Sequence, residues 1–420
     1  MQFSTAIPSA AFLALVTISS FGQAAEPTTW PQWRGPTRDC KVNAETTWPK
    51  TISGGSLAKS WSETFGPSYS GPIVSKNLIF VTETRNRKSE VVRALDRKTG
   101  EEVWKSEWSG AMSVPFFAKA NGDWIRATPA FDGKRLYVAG IRDVLVCLDA
   151  ATGKVLWRVD FVQSFKSKLP SFGCVSSPLL DGDSVYVQAG GGVVRLNKMT
   201  GKVIWHEVKD GGGMFGSAFS SPVIATIRNV KQLVVQTRKK LCGVDLKTGK
   251  VLWSKEIPAF RGMNILTPTV IGDRIFTSSY GGGSFLFEID RNEGGPWSIR
   301  QVWKAVRQGY MSSPVVIDGH VYLHMRNRRV ACIELKSGAT KWISRPYGRY
   351  WSMVTQGDRI LALDERGELL LIRANPKKFE LIDRQKVSTE PTWAHLAICG
   401  SEVFVRGLTT VTTYQWNPEK

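Results

Sequence analysis

The chain has 420 residues, with 56 Lys and Arg against 36 Asp and Glu and a formal charge of +20. Length alone would suggest two or three domains, but 39 glycines and 16 tryptophans argue for many tight turns and much aromatic packing rather than helical bundles. The charge favours anionic surfaces, polyanions or acidic proteins in a salt-dependent way, although a generally basic exported protein would carry the same balance.

In chain order, residues 10–18 form an apolar run followed by small residues, and Gly22-Gln23-Ala24 fits a cleavage site. Residues 1–24 therefore read as a secretory signal peptide, departing from the usual pattern in having no Lys or Arg at its start. The run is too short for a membrane span, which needs roughly 20 residues. No cysteine directly follows the cleavage site, so a lipid anchor is not expected. Residues 25–55 read as an irregular N-terminal extension. From residue 56 onward the chain is repetitive.

One repeat is Leu148-Asp149…Thr152-Gly153…Trp157, with copies at Leu95-Asp96…Thr99-Gly100…Trp104, Leu196-Asn197…Thr200-Gly201…Trp205 and Val244-Asp245…Thr248-Gly249…Trp253. A weaker copy is Ile333-Glu334…Ser337-Gly338…Trp342. Each predicts two strands joined by a tight turn. The first turn residue accepts hydrogen bonds from N–H groups two or three positions on, and the glycine supplies positive φ. A second repeat precedes each copy: Thr128-Pro129…Asp132-Gly133…Leu136-Tyr137, Ser177-Pro178…Asp181-Gly182…Val185-Tyr186 and Ser313-Pro314…Asp318-Gly319…Val321-Tyr322, with looser versions at Gly71, Ser221 and Thr267. Four short strands (A to D) per unit of about 45 residues predict blades of a β-propeller.

Strand-A starts at Gly71, Thr128, Ser177, Ser221, Thr267, Ser313, Ser352 and His395 give eight blades. The strand-D aromatics Trp61, Trp104, Trp157, Trp205, Trp253, Trp303, Trp342 and Phe379 also give eight, and the tryptophans are expected to dock between blades. Seven blades would result if residues 350–383 were not a blade. Trp61 precedes any strand A, so residues 56–63 are expected to supply the outer strand of a last blade built from residues 394–416. Sharing that blade closes the ring without an open edge.

Six cysteines in an exported chain invite disulfides. Cys147, Cys242 and Cys332, however, fall on strand C beside the turn acid and read as small buried residues. Cys40, Cys174 and Cys399 are irregularly placed, which leaves a Cys40 bridge near the ring closure open.

Antiparallel connectivity places A–B and C–D turns at one end of the blades and B–C and D–A loops at the other. The second set is long and irregular, and a binding face is expected there. Its D–A loops carry Phe116, Phe117, Phe172, Phe215, Phe219, Phe260, Arg261, Met263, Tyr310, Tyr347, Arg349, Tyr350, Trp351 and Trp393. Its B–C loops are basic, with Arg85, Arg87, Arg238, Arg326, Arg328 and Arg329. An aromatic funnel with a basic rim suits an anionic ligand or an acidic protein segment. Catalytic and metal signatures are not found. His320 and His324 lie four apart on a strand, too distant to share a metal, and no Cys-x-x-Cys, Gly-x-Ser-x-Gly or phosphate loop occurs. Gly190-Gly191-Gly192, Gly211-Gly212-Gly213 and Gly281-Gly282-Gly283 precede no predicted helix and read as close backbone approaches.

The Asp-x-x-Thr-Gly-x-x-x-Trp and Ser/Thr-Pro…Asp-Gly…Tyr units resemble the PQQ-like propeller repeat over residues 56–420. That group includes quinoprotein dehydrogenases and the BamB-type outer-membrane assembly factor. The segment Trp30-Pro31-Gln32-Trp33-Arg34-Gly35-Pro36 resembles the N-terminal part of exported bacterial members without assigned activity. The resemblance implies either of two functions. The dehydrogenases hold pyrroloquinoline quinone and Ca²⁺ over the propeller centre, with an Asp base and a disulfide of adjacent cysteines. This chain has no adjacent cysteines, and would need a carboxylate such as Asp123 or Asp210 near Trp351 or Trp393. BamB-type factors use the ring as a cofactor-free scaffold, normally with a lipid-anchoring cysteine. The expectation is a periplasmic or extracellular, non-enzymatic monomer that binds a protein or anionic partner through the loop face, without nucleic acid and with peripheral envelope association open. A PQQ-dependent alcohol or sugar dehydrogenase is the first alternative, and a propeller binding acidic polysaccharide the second.

Overall fold

The computed structural model describes Met1 and residues 28–42, 47–216, 219–292 and 294–417; the signal peptide expected at 1–24 lies, apart from Met1, outside the described residues. Eight four-stranded antiparallel sheets form the ring. Seven are consecutive, at residues 73–109, 130–160, 179–207, 223–256, 269–305, 315–346 and 351–386. The eighth takes three strands from residues 397–416 and its outer strand from Leu57–Thr64. Leu57 pairs with Trp416 and Thr64 with Thr410. The expected closure is therefore present, and 351–386 is a full blade.

The turn repeat does what its residues predict. In blade 2, the Asp149 carboxylate accepts from the N–H groups of Ala151 and Thr152 at 3.1 and 2.9 Å, and from the Thr152 hydroxyl at 2.8 Å. Asn197 and Asp245 hold the same turn in blades 3 and 4. The glycines that follow have φ between 71° and 81°, a region in which a Cβ is strained.

These glycines also serve the neighbouring blade. A Cβ on Gly153 would meet the Trp104 ring at 2.4 Å, one on Gly201 the Trp157 ring at 2.7 Å, and one on Gly338 the Trp303 ring at 2.7 Å. Each tryptophan lies flat on the next blade's turn and donates its indole N–H to a carbonyl there. Trp61 bonds Arg97 O at 3.1 Å, Trp104 bonds Ala150 O at 3.0 Å, and Trp157 bonds Lys198 O at 3.1 Å. Trp205, Trp303 and Trp342 do the same toward Leu246, Leu335 and Asn375. Within their own blades Trp104, Trp157, Trp205, Trp303 and Trp342 pack on the strand-B aromatic, as Tyr137 on Trp157 with centroids 6.0 Å apart and Tyr322 on Trp342 at 6.0 Å. Six of the seven strand-D tryptophans make this bond to the next blade.

Trp253 departs from it. Its indole donates to Gln232 Oε1 of its own blade at 2.7 Å. Blade 5 lacks the Asp-x-x-Thr-Gly turn and instead extends its C–D hairpin through Gly283–Arg291 and Trp297–Ala305, so the usual carbonyl is not presented.

The Ser/Thr-Pro repeat forms a second belt, around the channel. The Thr128 hydroxyl accepts from Gly71 N–H at 3.0 Å, Ser177 from Thr128 N–H at 3.0 Å, Ser221 from Ser177 N–H at 2.9 Å, and Thr267 from Ser221 N–H at 3.4 Å. All six cysteines are free and buried. Cys40 faces Arg34 and His395 rather than another thiol.

Burial isolates a few acids between blades. Glu90 is fully buried and accepts from Trp108 Nε1–H at 2.9 Å and from Ile141 N–H of blade 2 at 2.6 Å. Desolvation outweighs these bonds and pushes its carboxyl up to about 7.

The tryptophan contact can be tested at two glycines. Gly153→Ala and Gly133→Ala both place a Cβ at positive φ, but Gly133 faces open space. Gly153→Ala should therefore lower stability by roughly 1–3 kcal/mol more than Gly133→Ala, read as the difference between the two Tm shifts. Equal shifts would remove the tryptophan contact from the account. For Glu90, a raised folded pKa means stability that is fully present below the unfolded value and lost as pH rises through about 7. Glu90→Gln should flatten that loss, each tenfold gain in proton affinity on folding being worth roughly 1.4 kcal/mol. Parallel stability profiles of wild type and variant between pH 4.5 and 8 would contradict it.

Candidate binding face

The N-terminal segment makes the channel into a cup. Trp30 pairs in both directions with Val74, at 2.8 and 3.0 Å, and Pro31 O accepts from Phe131 N–H at 2.8 Å. Val74 and Phe131 end the innermost strands of blades 1 and 2, so the chain enters from the end bearing the short turns. Arg34 then donates to Pro314 O at 2.9 Å, and Arg38 to Pro178 O at 2.8 Å and Ser177 O at 3.2 Å. Val42 N–H and Cys40 O exchange bonds with Thr355 of blade 7, each at 2.8 Å. The described residues of this segment tie five blades together across the axis.

Trp33 is the floor of what remains, a cavity of about 400 Å³ open among the D–A and B–C loops. The hydroxyls of Thr128, Ser177, Ser221 and Thr267 ring its lower wall. Arg34 and Arg38 lie against Trp33, with guanidinium carbons 5.5 and 5.7 Å from its ring, and both are almost fully buried. Arg126 and Arg238 are in the upper wall. Arg126 is held by the carbonyls of Trp124 and Gly122, at 3.2 and 2.8 Å. His395, also in the wall, is pushed down to about 4 by burial, so its imidazole is neutral and its Nδ1 faces Leu396 O at 2.9 Å.

Two files of aromatic rings lead from rim to cavity. On one side Arg326 covers Tyr280 at 3.9 Å, and Tyr280, Tyr310, Tyr350, Trp393 and Tyr69 follow with centroids 5.7, 6.3, 4.3 and 4.7 Å apart. Phe260 joins this file at Tyr280, 5.0 Å away, with Arg261 over it. On the other side Phe116, Phe117, Phe172 and Phe219 run to Arg238, at 5.5, 6.1, 5.9 and 5.2 Å. Phe116, Phe117, Phe215 and Phe260 are exposed, Phe116 at 83% and Phe215 at 69%.

The structure sorts the residues expected on this face. Arg87, Arg326, Arg328, Arg349, Phe215, Phe260 and Arg261 are exposed, while Tyr310, Tyr350 and Trp393 are half-buried in the cavity wall. Arg85 is neutralised by Glu83 at 2.5 Å and Glu107 at 3.7 Å. Arg329 donates to Ser344 O at 2.7 Å and so supports its own hairpin. Arg238 is buried, not at the rim. Trp351 is 4% exposed, stacked on His324 at 5.2 Å and bonded to Asp364 at 2.9 Å, and Tyr347 packs edge-on against it. Sequence reading missed Trp33, Tyr69, Arg126 and Tyr280. The floor residue sits in a stretch with no periodicity, and Tyr69 and Arg126 precede a strand without belonging to a recognisable loop motif. The glycine loops approach other backbone: a Cβ on Gly191 would meet Gly212 N at 2.8 Å, and one on Gly282 would meet Pro258 O at 1.9 Å.

A Ca²⁺–quinone site needs several oxygen ligands, carboxylates prominent among them. The cavity wall, among the described residues, contains no Asp or Glu. Asp210 is exposed on its loop, and Asp123 lies outside the lining. The described residues also hold no cluster of three His, Cys, Asp or Glu side chains suited to a metal. The residues present do not fit that site.

Similarity to known proteins agrees with the architecture. A family model described as outer membrane protein assembly factor BamB matches residues 87–344. The BamB of Yersinia pestis is 21% identical over 309 residues, covering 70% of this chain and 72% of its own. Among solved structures, BamB from Moraxella catarrhalis superposes with a TM-score of 0.61 at 16% identity, covering 86% of this chain and 98% of its own. The quinohemoprotein alcohol dehydrogenase of Comamonas testosteroni gives 0.52 at 14% identity, covering 92% of this chain and 80% of its own, which reflects the shared fold. With the repeats, the eight-bladed ring and a family match spanning more than half of the chain, this protein belongs to the BamB family of PQQ-like propellers.

Proposed function

We propose that the protein is an exported, non-enzymatic scaffold that binds a partner protein through its D–A and B–C loop face, in the service of outer-membrane protein assembly. The observation that carries the reading is the concentration of exposed phenylalanines and exposed arginines at one end of the ring. Exposed apolar patches rimmed by polar groups mark interaction surfaces, and aromatic and Arg side chains supply most binding energy in such interfaces. The opposite end carries the short Asp-x-x-Thr-Gly turns, whose polar atoms are spent on their own backbone. The names of the BamB relatives point to the same role. The donor set of the cavity, which offers Ca²⁺ no carboxylate, weighs against the dehydrogenase reading.

In the organism carrying the gene, deletion is expected to lower the amount of folded outer-membrane barrels. Wild type should restore it, and a variant combining Arg87→Glu, Arg326→Glu and Arg328→Glu should not, although these exposed residues leave the fold intact. Unchanged barrel levels after deletion would defeat the reading. A dye-coupled alcohol and sugar oxidation assay with pyrroloquinoline quinone and Ca²⁺ should give no turnover; turnover would make the protein a dehydrogenase.

A further inference from the structure

The rim explains attraction to a partner surface, but not the chemistry of the cavity at its centre. That cavity is positively charged from below and from the side. Arg34 and Arg38 lie under the floor and Arg126 is in the wall, and among the described residues no carboxylate comes within 4.0 Å of any of the three. Their hydrogen bonds go to carbonyls, to Gln32 and to the Cys40 sulfur. Arg38 Nε is buried without a partner. Burial pushes the Arg38 guanidinium down to about 9, helped by the neighbouring Arg34 charge. For Arg34 and Arg38, a buried charge without a near counter-charge costs several kcal/mol, whereas Arg126 feels the charge of Asp123.

The neutral polar groups point the same way. The oxygens of the hydroxyl belt already accept backbone N–H groups, which leaves the O–H groups of Thr128, Ser177 and Ser221 to donate, while that of Thr267 donates to Ser221 O at 3.4 Å. The Trp393 indole N–H, in the same wall, is buried without an acceptor. A wall rich in donors, with no acid in it, is complementary to an anion. Apolar side chains make up another part of the lining, among them Phe117, Phe172, Phe219, Met263 and Ile265. About 400 Å³ lies within the range of ligand pockets and excludes a folded domain.

We propose that the central cavity receives a single carboxylate side chain, flanked by apolar residues, from an extended segment of the partner protein. This rests on the partner-binding reading and specifies its anchor. The carboxylate lies among Arg126, Arg238, the hydroxyl belt and the Trp393 N–H, and its apolar neighbours lie on the phenylalanine and methionine wall. The rim arginines set the rate of encounter and its salt dependence, while the cavity sets which segment stays bound.

The test uses the full mature chain and two blocked tripeptides, acetyl-Phe-Asp-Leu-amide and acetyl-Phe-Asn-Leu-amide, with binding followed by calorimetry and tryptophan fluorescence. The Asp peptide is expected to bind at least tenfold tighter than its Asn counterpart. Met263 follows Gly262, which packs on Arg238, and it lines the cavity. Met263→Glu should place an internal carboxylate there, abolish peptide binding and raise Tm; Met263→Gln, which alters the same wall without adding charge, should weaken binding far less and should not raise Tm. Equal affinity for the two peptides, or no binding of either, would overturn the carboxylate anchor. If the rim variant still failed to support barrel assembly in that case, the scaffold function would stand and only the anchor would fall. Binding of indole-3-acetate without binding of the Asp peptide would also overturn it, and would make the cavity a small-molecule site.

Discussion

The ring depends on one contact made over and over: a strand-D tryptophan lying on the turn glycine of the next blade and donating its N–H to a carbonyl of that turn. A four-stranded sheet of this size cannot bury both faces alone, and neighbouring blades cover them for each other. Onto Gly100, Gly153, Gly201, Gly249 and Gly338 the contact uses three residues at once, whereas Trp342 reaches Asn375 O on a turn without glycine. Thr-Gly supplies the positive φ and the missing Cβ, the acid or amide holds the turn closed, and the tryptophan brings area and a single donor. Trp253 shows the dependence by exception. Where the next blade replaces the turn with a longer hairpin, the indole has no carbonyl to reach and bonds to Gln232 instead.

Because the outer ring is held by these contacts, the axis is left to other chemistry. The hydroxyl belt joins the starts of successive inner strands, and the N-terminal segment crosses the channel and bonds to blades 1, 2, 3, 6 and 7. The result is rigid backbone around a cup, with the long loops above it. The two aromatic files extend the cup to the surface and link the exposed phenylalanines to the arginines and hydroxyls below. Scaffold and binding face are separated by the strand direction alone.

Much of this was legible in the residues. The Asp-x-x-Thr-Gly…Trp and Ser/Thr-Pro…Asp-Gly…Tyr units specify strand, turn and blade number because their information is local: a side chain bonding two or three positions on, a glycine at positive φ, an alternation with one buried face. The sharing of the last blade was legible too, since Trp61 has no preceding strand A. Antiparallel order then assigned the loops to one end, which placed Arg87, Arg326, Arg328, Phe215 and Phe260 on the face where they are found.

What the sequence could not decide is everything that depends on distance across the ring. Arg34 bonds Pro314, 280 positions away, and nothing local in Trp33-Arg34-Gly35 announces a channel floor. Strand order brings these loops to one end, yet which of their residues face solvent depends on packing between loops. Trp351 turns inward to Asp364, Arg329 serves its own hairpin and Arg238 is buried, whereas Tyr69, Arg126 and Tyr280 complete the site from unmarked positions. Short-range hydrogen bonding and side-chain alternation were sufficient to determine the blades. The orientation of side chains around the axis was decided only when eight blades and the N-terminal segment met, because those contacts exist only after the ring has closed.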